Sequence, residues 1–154
     1  DIQAAMGDDF GAEMMVVGFS QGGFIAQTLA DDQSFNIKEV LTYGTPELVG
    51  HRNFGGANVV RLMHNGDPVP GFQWLTNNVV TQTTSSILTA VLGEELPEKG
   101  SSINFRAGNF DVTSHAPDKY MQIADEYDKS VNSEILSSRS SQQRFHGTVV
   151  SDTY

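Results

Sequence analysis

The chain alternates between short apolar runs that stop at turn residues and longer stretches in which apolar side chains recur at helical spacing. Residues 14–17 are wholly apolar and close on Gly18; after the turn, residues 22–30 carry Phe24, Ile25 and Leu29 on a helical period. This predicts a strand, a sharp turn and a helix. Ile37 to Tyr43 mixes β-branched and apolar residues and stops at Gly44-Thr45-Pro46, and residues 59–63 repeat the pattern and stop at Asn65-Gly66-Asp67-Pro68. Both read as strands with loops at their C-terminal ends. The intervening stretches are long enough for crossovers, which favours parallel pairing and an α/β sheet with helices on its faces.

Further along, residues 72–92 are apolar without a clean period, with Trp74, a Thr/Ser-rich middle and a run from Ile87 to Leu92. They are expected to form a variable excursion containing one helix. Residues 103–105 suggest another short strand. Residues 117–131 suggest a helix with Tyr120, Ile123, Ala124 and Tyr127 on one face and Pro117 in its first turn. Residues 137–143 are rich in Ser, Gln and Arg and are expected to be a linker or loose end, and residues 145–154 to open another element. No internal repeat is present.

Composition narrows the picture. A chain of 154 residues with 38% hydrophobic residues suits one domain with apolar surface buried on both sides of a sheet. Nineteen acidic against nine basic residues give a net charge of -10, which repels nucleic acid. The acidic residues fall in short groups, Asp8-Asp9, Asp31-Asp32 and Glu94-Glu95, that read as solvated surface. There are no cysteines, so disulfides, zinc-thiolate sites and cysteine nucleophiles drop out for this chain. No apolar run approaches the ~20 residues of a membrane span, and no basic region followed by an apolar stretch opens the chain. The acidic, cysteine-free composition suits a secreted bacterial protein and a cytosolic one equally.

Candidate chemistry sits at the turns. Gly18-Phe19-Ser20-Gln21-Gly22 is a G-x-S-x-G pentapeptide placed after an apolar strand and before an apolar helix, the context in which that motif forms a nucleophile elbow. Ser20 is the expected nucleophile. Gly18 and Gly22 are expected to be glycine because side chains there collide with neighbouring backbone. The backbone N–H of Gln21, opening the helix, is an expected oxyanion donor.

A serine needs a base and a group that orients it. Asp67, between Gly66 and Pro68 just after a strand, is either a turn-forming aspartate or that orienting carboxylate. His115, in a polar loop before a helix, is either a surface histidine or the base. The chain order Ser20, Asp67, His115 favours the catalytic reading, because it is the α/β-hydrolase order. His51, His64 and His146 compete for the base role, with His64 expected to pack or cap a strand end. No histidine pair has metal-binding helical spacing, and no motif calls for a metal or another cofactor.

Four segments together resemble the class 3 (fungal-type) lipases. They are Val16-Val17-Gly18-Phe19-Ser20-Gln21-Gly22-Gly23; Leu41 to Pro46 with Val49-Gly50; Asn58-Val59-Val60-Arg61 through Asn65-Gly66-Asp67-Pro68-Val69-Pro70; and Ser114-His115 with Tyr120. The resemblance spans about residues 10–130 and implies an α/β-hydrolase fold and hydrolysis of triacylglycerol or related esters. The family usually flanks the serine with histidine and leucine, whereas Phe19 and Gln21 stand here. Gly-Phe-Ser-Gln-Gly-Gly is similar instead to the elbows of acyl-protein thioesterases and bacterial carboxylesterases, and a Ser-Gln-Gly elbow occurs in cutinases.

The resemblance also implies several strands and a second oxyanion donor before the elbow, whereas thirteen residues precede Met14. Residues 1–135 are accordingly expected to be the C-terminal part of a lipase-like domain, partnered by an upstream part of the same protein, with residues 136–154 a linker or tail. An exposed sheet edge is then expected to lower stability or drive association. The expected activity is ester hydrolysis on an acyl ester or lipid, with transient contact to a lipid interface. Phe19, Phe72, Trp74 and the run from Ile87 to Leu92 are expected either to line or cover an acyl pocket or to pack in the core. The alternatives are a thioesterase or carboxylesterase of the Ser-Gln-Gly type and a non-catalytic hydrolase-like module of a larger protein.

Overall fold

A computed structural model describes residues 2, 6–9, 11–46, 53–70, 102–109 and 113–147. Four strands, β1 (Met14–Phe19), β2 (Ile37–Tyr43), β3 (Asn58–His64) and β4 (Ser102–Ala107), form one sheet in the order β1-β2-β3-β4. Every neighbouring pair is parallel. Helix α1 (Gln21–Asp32) follows β1, and α2 (Pro117–Lys129) and α3 (Ser133–Gln142) follow β4. A short 3₁₀ turn, Gln143–Phe145, follows α3.

The sheet is covered on both faces, which is why β2 and β3 read as almost continuously buried strands. On one face Ala26 and Ala30 of α1 pack with Val40, Val59, Ile37, Phe54 and Ala57. On the other, Tyr120, Ile123 and Tyr127 of α2 and Ile135 of α3 pack with Leu41, Val60, Leu62 and Ala107. Each fully buried side chain of this size contributes about 1.5–3 kcal/mol, so these two clusters hold the helices to the sheet. The sheet and its flanking helices are the α/β arrangement expected from the strand and turn pattern.

Among the polar side chains buried in this core, Arg61 and Glu39 lie on opposite faces of the sheet. Arg61, buried on the α1 face, donates from Nε to Gln27 Oε1 at 2.9 Å and from Nη1 to Ser102 Oγ at 2.6 Å. Glu39, buried on the α3 face, accepts at Oε1 from Asn58 Nδ2 at 2.8 Å and from Ser141 Oγ at 2.5 Å. The second bond joins α3 to the start of the sheet.

Two expectations change here. The Ser/Gln/Arg-rich run at 137–143, expected to be a linker or loose end, is helical up to Gln142 within α3. Its polar composition hides a helix held from outside itself. Asn132 caps it, accepting at Oδ1 from the N–H groups of Glu134 and Ile135, and Ile135 and Ser138 are buried beneath it. The helix expected at 117–131 stops earlier, at Lys129, where Ser130 and Asn132 take extended conformations that separate α2 from α3. The excursion at 72–92, the Val49-Gly50 pair and the chain after Gly147 lie outside the described residues.

Candidate active site

Strand β1 ends at Phe19, and Ser20 makes the turn into α1 with φ 52° and ψ -119°. A non-glycine residue at positive φ stores about 1–3 kcal/mol and persists only where its surroundings hold it. Ser20 N–H donates to Tyr43 O at 2.8 Å, and Ser20 O accepts from Gly23 N–H at 3.1 Å. The turn is thereby tied to the end of β2 and to the first turn of α1.

The tightness of this turn explains two glycines. A Cβ on Gly18 would lie 2.4 Å from the backbone of Gly22 and Gly23, and a Cβ on Gly23 would lie 1.8 Å from Thr45 Oγ1. Gly22 differs from the sequence expectation: nothing lies within 4 Å of a Cβ there, because the position is exposed on α1. The crowded partner of Gly18 is Gly23, which faces the turn after β2. A second consecutive glycine was the available signal, but only the position of Thr45 gives it meaning.

Asp67 lies in the turn after β3 and His115 in the loop before α2, at positions 48 apart in the chain. The fold brings them together with Ser20. His115 Nε2 is 2.8 Å from Ser20 Oγ and His115 Nδ1 is 2.7 Å from Asp67 Oδ2. A carboxylate only accepts, so Nδ1 carries the ring proton and Nε2 is left to accept from the serine hydroxyl. The side chain of Asp67 is fully buried while that of His115 is 31% exposed. The chain of hydrogen bonds therefore runs from a dry carboxylate outward to an accessible hydroxyl.

Three further groups frame these residues. Val69 N–H donates to Asp67 Oδ1 at 2.8 Å, and Tyr120 O–H donates to Oδ2 at 2.5 Å. The Tyr120 hydroxyl oxygen accepts in turn from His64 N–H at 3.2 Å. The ring of Phe19 stacks on His115 with centroids 5.1 Å apart and meets Tyr120 edge-on at 5.6 Å. Gly44, at φ 58°, lets the Tyr120 ring approach, since a Cβ there would lie 2.8 Å from its Cζ. Burial and the bond to Asp67 push the Tyr120 hydroxyl well above the usual phenol range, which keeps it a donor. The bond from Tyr120 to Asp67 was not legible as a sequence pattern, because it spans 53 positions.

The remaining sequence candidates separate. Gln21 is the first residue of α1, so its N–H has no acceptor within the helix and stands beside Ser20. His64 caps the end of β3 as expected: it is buried and accepts at Nδ1 from Gly66 N–H at 3.2 Å. His146 is exposed beyond the 3₁₀ turn. His51, Phe72 and Trp74 lie outside the described residues. Among the described residues no group of three or more His, Asp or Glu is arranged to hold a metal ion, and no helix is long and apolar enough to cross a membrane.

No family model matches the chain, and no solved structure matches it. Part of it is similar to the alanine–tRNA ligase of Herminiimonas arsenicoxydans, 37% identical over 70 residues, which is 46% of this chain and 8% of that protein. The chain spans under a tenth of the length of that curated relative, too little for a family assignment.

Proposed function

We propose that this chain belongs to a serine ester hydrolase with an α/β-hydrolase fold, cleaving lipid or other acyl esters through Ser20, His115 and Asp67. The observation that carries the reading is the unbroken line of hydrogen bonds from Ser20 Oγ through His115 to Asp67, on a serine held at positive φ between strand and helix. In the mechanism that follows, Ser20 Oγ attacks the acyl carbon while its proton passes to His115 Nε2. Asp67 holds the tautomer and stabilises the imidazolium. The Gln21 N–H, at the positive end of α1, faces the oxyanion that develops. The tetrahedral species collapses and expels the alcohol, which takes the proton from His115. Water, deprotonated by His115, then releases the acid and restores Ser20.

A fluorophosphonate probe tests this directly, since it reacts only with an activated serine. Labelling is expected on the peptide containing Ser20, lost in Ser20→Ala and at least 100-fold slower in His115→Ala. A wild-type protein that stays unlabelled at Ser20 would sink the proposal. The Phe19 and Gln21 flanks favour a second substrate class, thioesters or small carboxylic esters, and relative turnover of a thioester and a long-chain glyceride separates the two.

A further inference from the structure

We propose that Tyr120 is a positioning residue for the Ser20–His115–Asp67 site, acting through the Asp67 oxygen that His115 also uses; the inference rests on the hydrolase reading above. Asp67 Oδ2 accepts from two donors, His115 Nδ1 at 2.7 Å and Tyr120 O–H at 2.5 Å. Its other oxygen is held by Val69 N–H at 2.8 Å. Without the tyrosine hydroxyl, Oδ2 keeps only its bond to His115 and Oδ1 its bond to Val69 N–H. The hydroxyl is itself aimed by His64 N–H at the end of β3, so the line of force runs from a sheet strand, through Tyr120, to the carboxylate.

Sharing one oxygen has a chemical consequence. Each donor draws on the same negative charge, so the Tyr120 bond tempers how strongly Asp67 stabilises a protonated His115. Removing the hydroxyl leaves that charge to the imidazolium alone. The imidazolium then persists to higher pH, and a base that stays protonated is unavailable to Ser20. Among the described residues, the titratable or charged side chains facing this cluster are Tyr43 from β2, Asp67 in the turn after β3 and Arg106 from β4. Of these only Asp67 bonds to His115.

The surroundings of the ring are built to tolerate loss of the hydroxyl. Phe19 and Tyr43 contact Tyr120 edge-on, at 5.6 and 6.5 Å between centroids, and Gly44 leaves room for it. Tyr120→Phe keeps all three contacts. The experiment follows the His115 ring by proton NMR across pH, together with kcat and KM on a soluble ester, in wild type, Tyr120→Phe and Tyr43→Phe.

In Tyr120→Phe the His115 titration midpoint and the acid limb of kcat/KM are expected to move upward together by about half a pH unit or more. The value of kcat is expected to fall about 10-fold, with KM unchanged. Tyr43→Phe, whose hydroxyl does not touch Asp67, is expected to move neither. Replacing Tyr120 by 3-fluorotyrosine, a stronger donor of the same shape, is expected to move the midpoint the opposite way and remains informative should Tyr120→Phe fold poorly. An unchanged His115 midpoint in both position-120 variants, or an equal shift in Tyr43→Phe, overturns the assignment. The NMR titration needs no turnover, so a protein that fails to label at Ser20 removes the hydrolase reading while this coupling is still decided.

Discussion

At the scale of single residues, the site depends on small steric and hydrogen-bonding differences between neighbours of similar type. Gly18, Gly22 and Gly23 are the clearest case. Alanine at Gly18 or Gly23 meets backbone or the Thr45 side chain well inside contact distance, whereas at Gly22 it meets open space. Gly18→Ala and Gly23→Ala are therefore expected to lose about 1–3 kcal/mol or more, and Gly22→Ala to be neutral or slightly stabilising because alanine favours helix. Urea unfolding midpoints of the three variants check this, and equal losses at all three positions would contradict the geometry. Asp67 poses a sharper question. Asp67→Asn keeps its size but puts an amide where His115 Nδ1 and Tyr120 O–H both donate. If the proposed function holds, kcat is expected to fall about 10⁴-fold, with fluorophosphonate labelling slowed in parallel and the unfolding midpoint changed far less.

At the scale of elements, the sheet and α3 are stabilised in different ways. β2 and β3 bury both faces, and their β-branched and apolar residues announce it. α3 has few apolar residues and is held by an N-cap, by Ile135 and by polar contacts, from Ser141 to buried Glu39, from Arg139 to Asp128 and from Tyr127 to Gln142. A helix tied mainly by polar contacts of this kind should open locally before the sheet does. Asn132→Ala is expected to cost about 1 kcal/mol through the lost cap. Ser141→Ala leaves Glu39 with one fewer donor, when its Oε2 already has no partner among the described residues. Both variants are expected to speed amide exchange across α3 while leaving β2 and β3 protected. Uniform loss of protection throughout would show instead that α3 is part of one cooperative unit.

At the scale of the whole molecule, the α2 face of the sheet carries three tyrosines whose hydroxyls are pushed above the ordinary phenol value of 10.0, in each case chiefly by burial. They are Tyr43, Tyr120 and Tyr127. The unfolded chain releases these protons near pH 10 while the folded chain keeps them. The unfolded state then binds fewer protons, and stability falls as pH rises. Their contribution is fully present below about pH 10 and is lost as pH climbs through the folded values. Denaturant midpoints are expected to be level from neutral to mildly alkaline pH and to drop beyond about pH 10. Tyrosinate absorbance should appear together with unfolding, and ionisation of all the tyrosines ahead of unfolding would rule this out.

Local chemistry explains what the sequence determined by itself. Strand runs, the turn at Ser20 and the proline-led start of α2 follow from propensities and turn signals that act over a few neighbours, and the chain order of Ser20, Asp67 and His115 singled those residues out. The tertiary structure decided which of these meet. Ser20 and His115 are 95 positions apart, and their contact exists only because parallel strands in the order β1-β2-β3-β4 bring the ends of β1 and β3 and the start of α2 to the same side of the sheet. The same long-range placement chose His115 over His64 as the neighbour of Ser20, gave Gly23 rather than Gly22 the crowded position, turned a Ser-rich run into α3, and put the Tyr120 hydroxyl on Asp67. None of these is encoded in spacing, because each depends on distances set by packing between elements far apart in the chain.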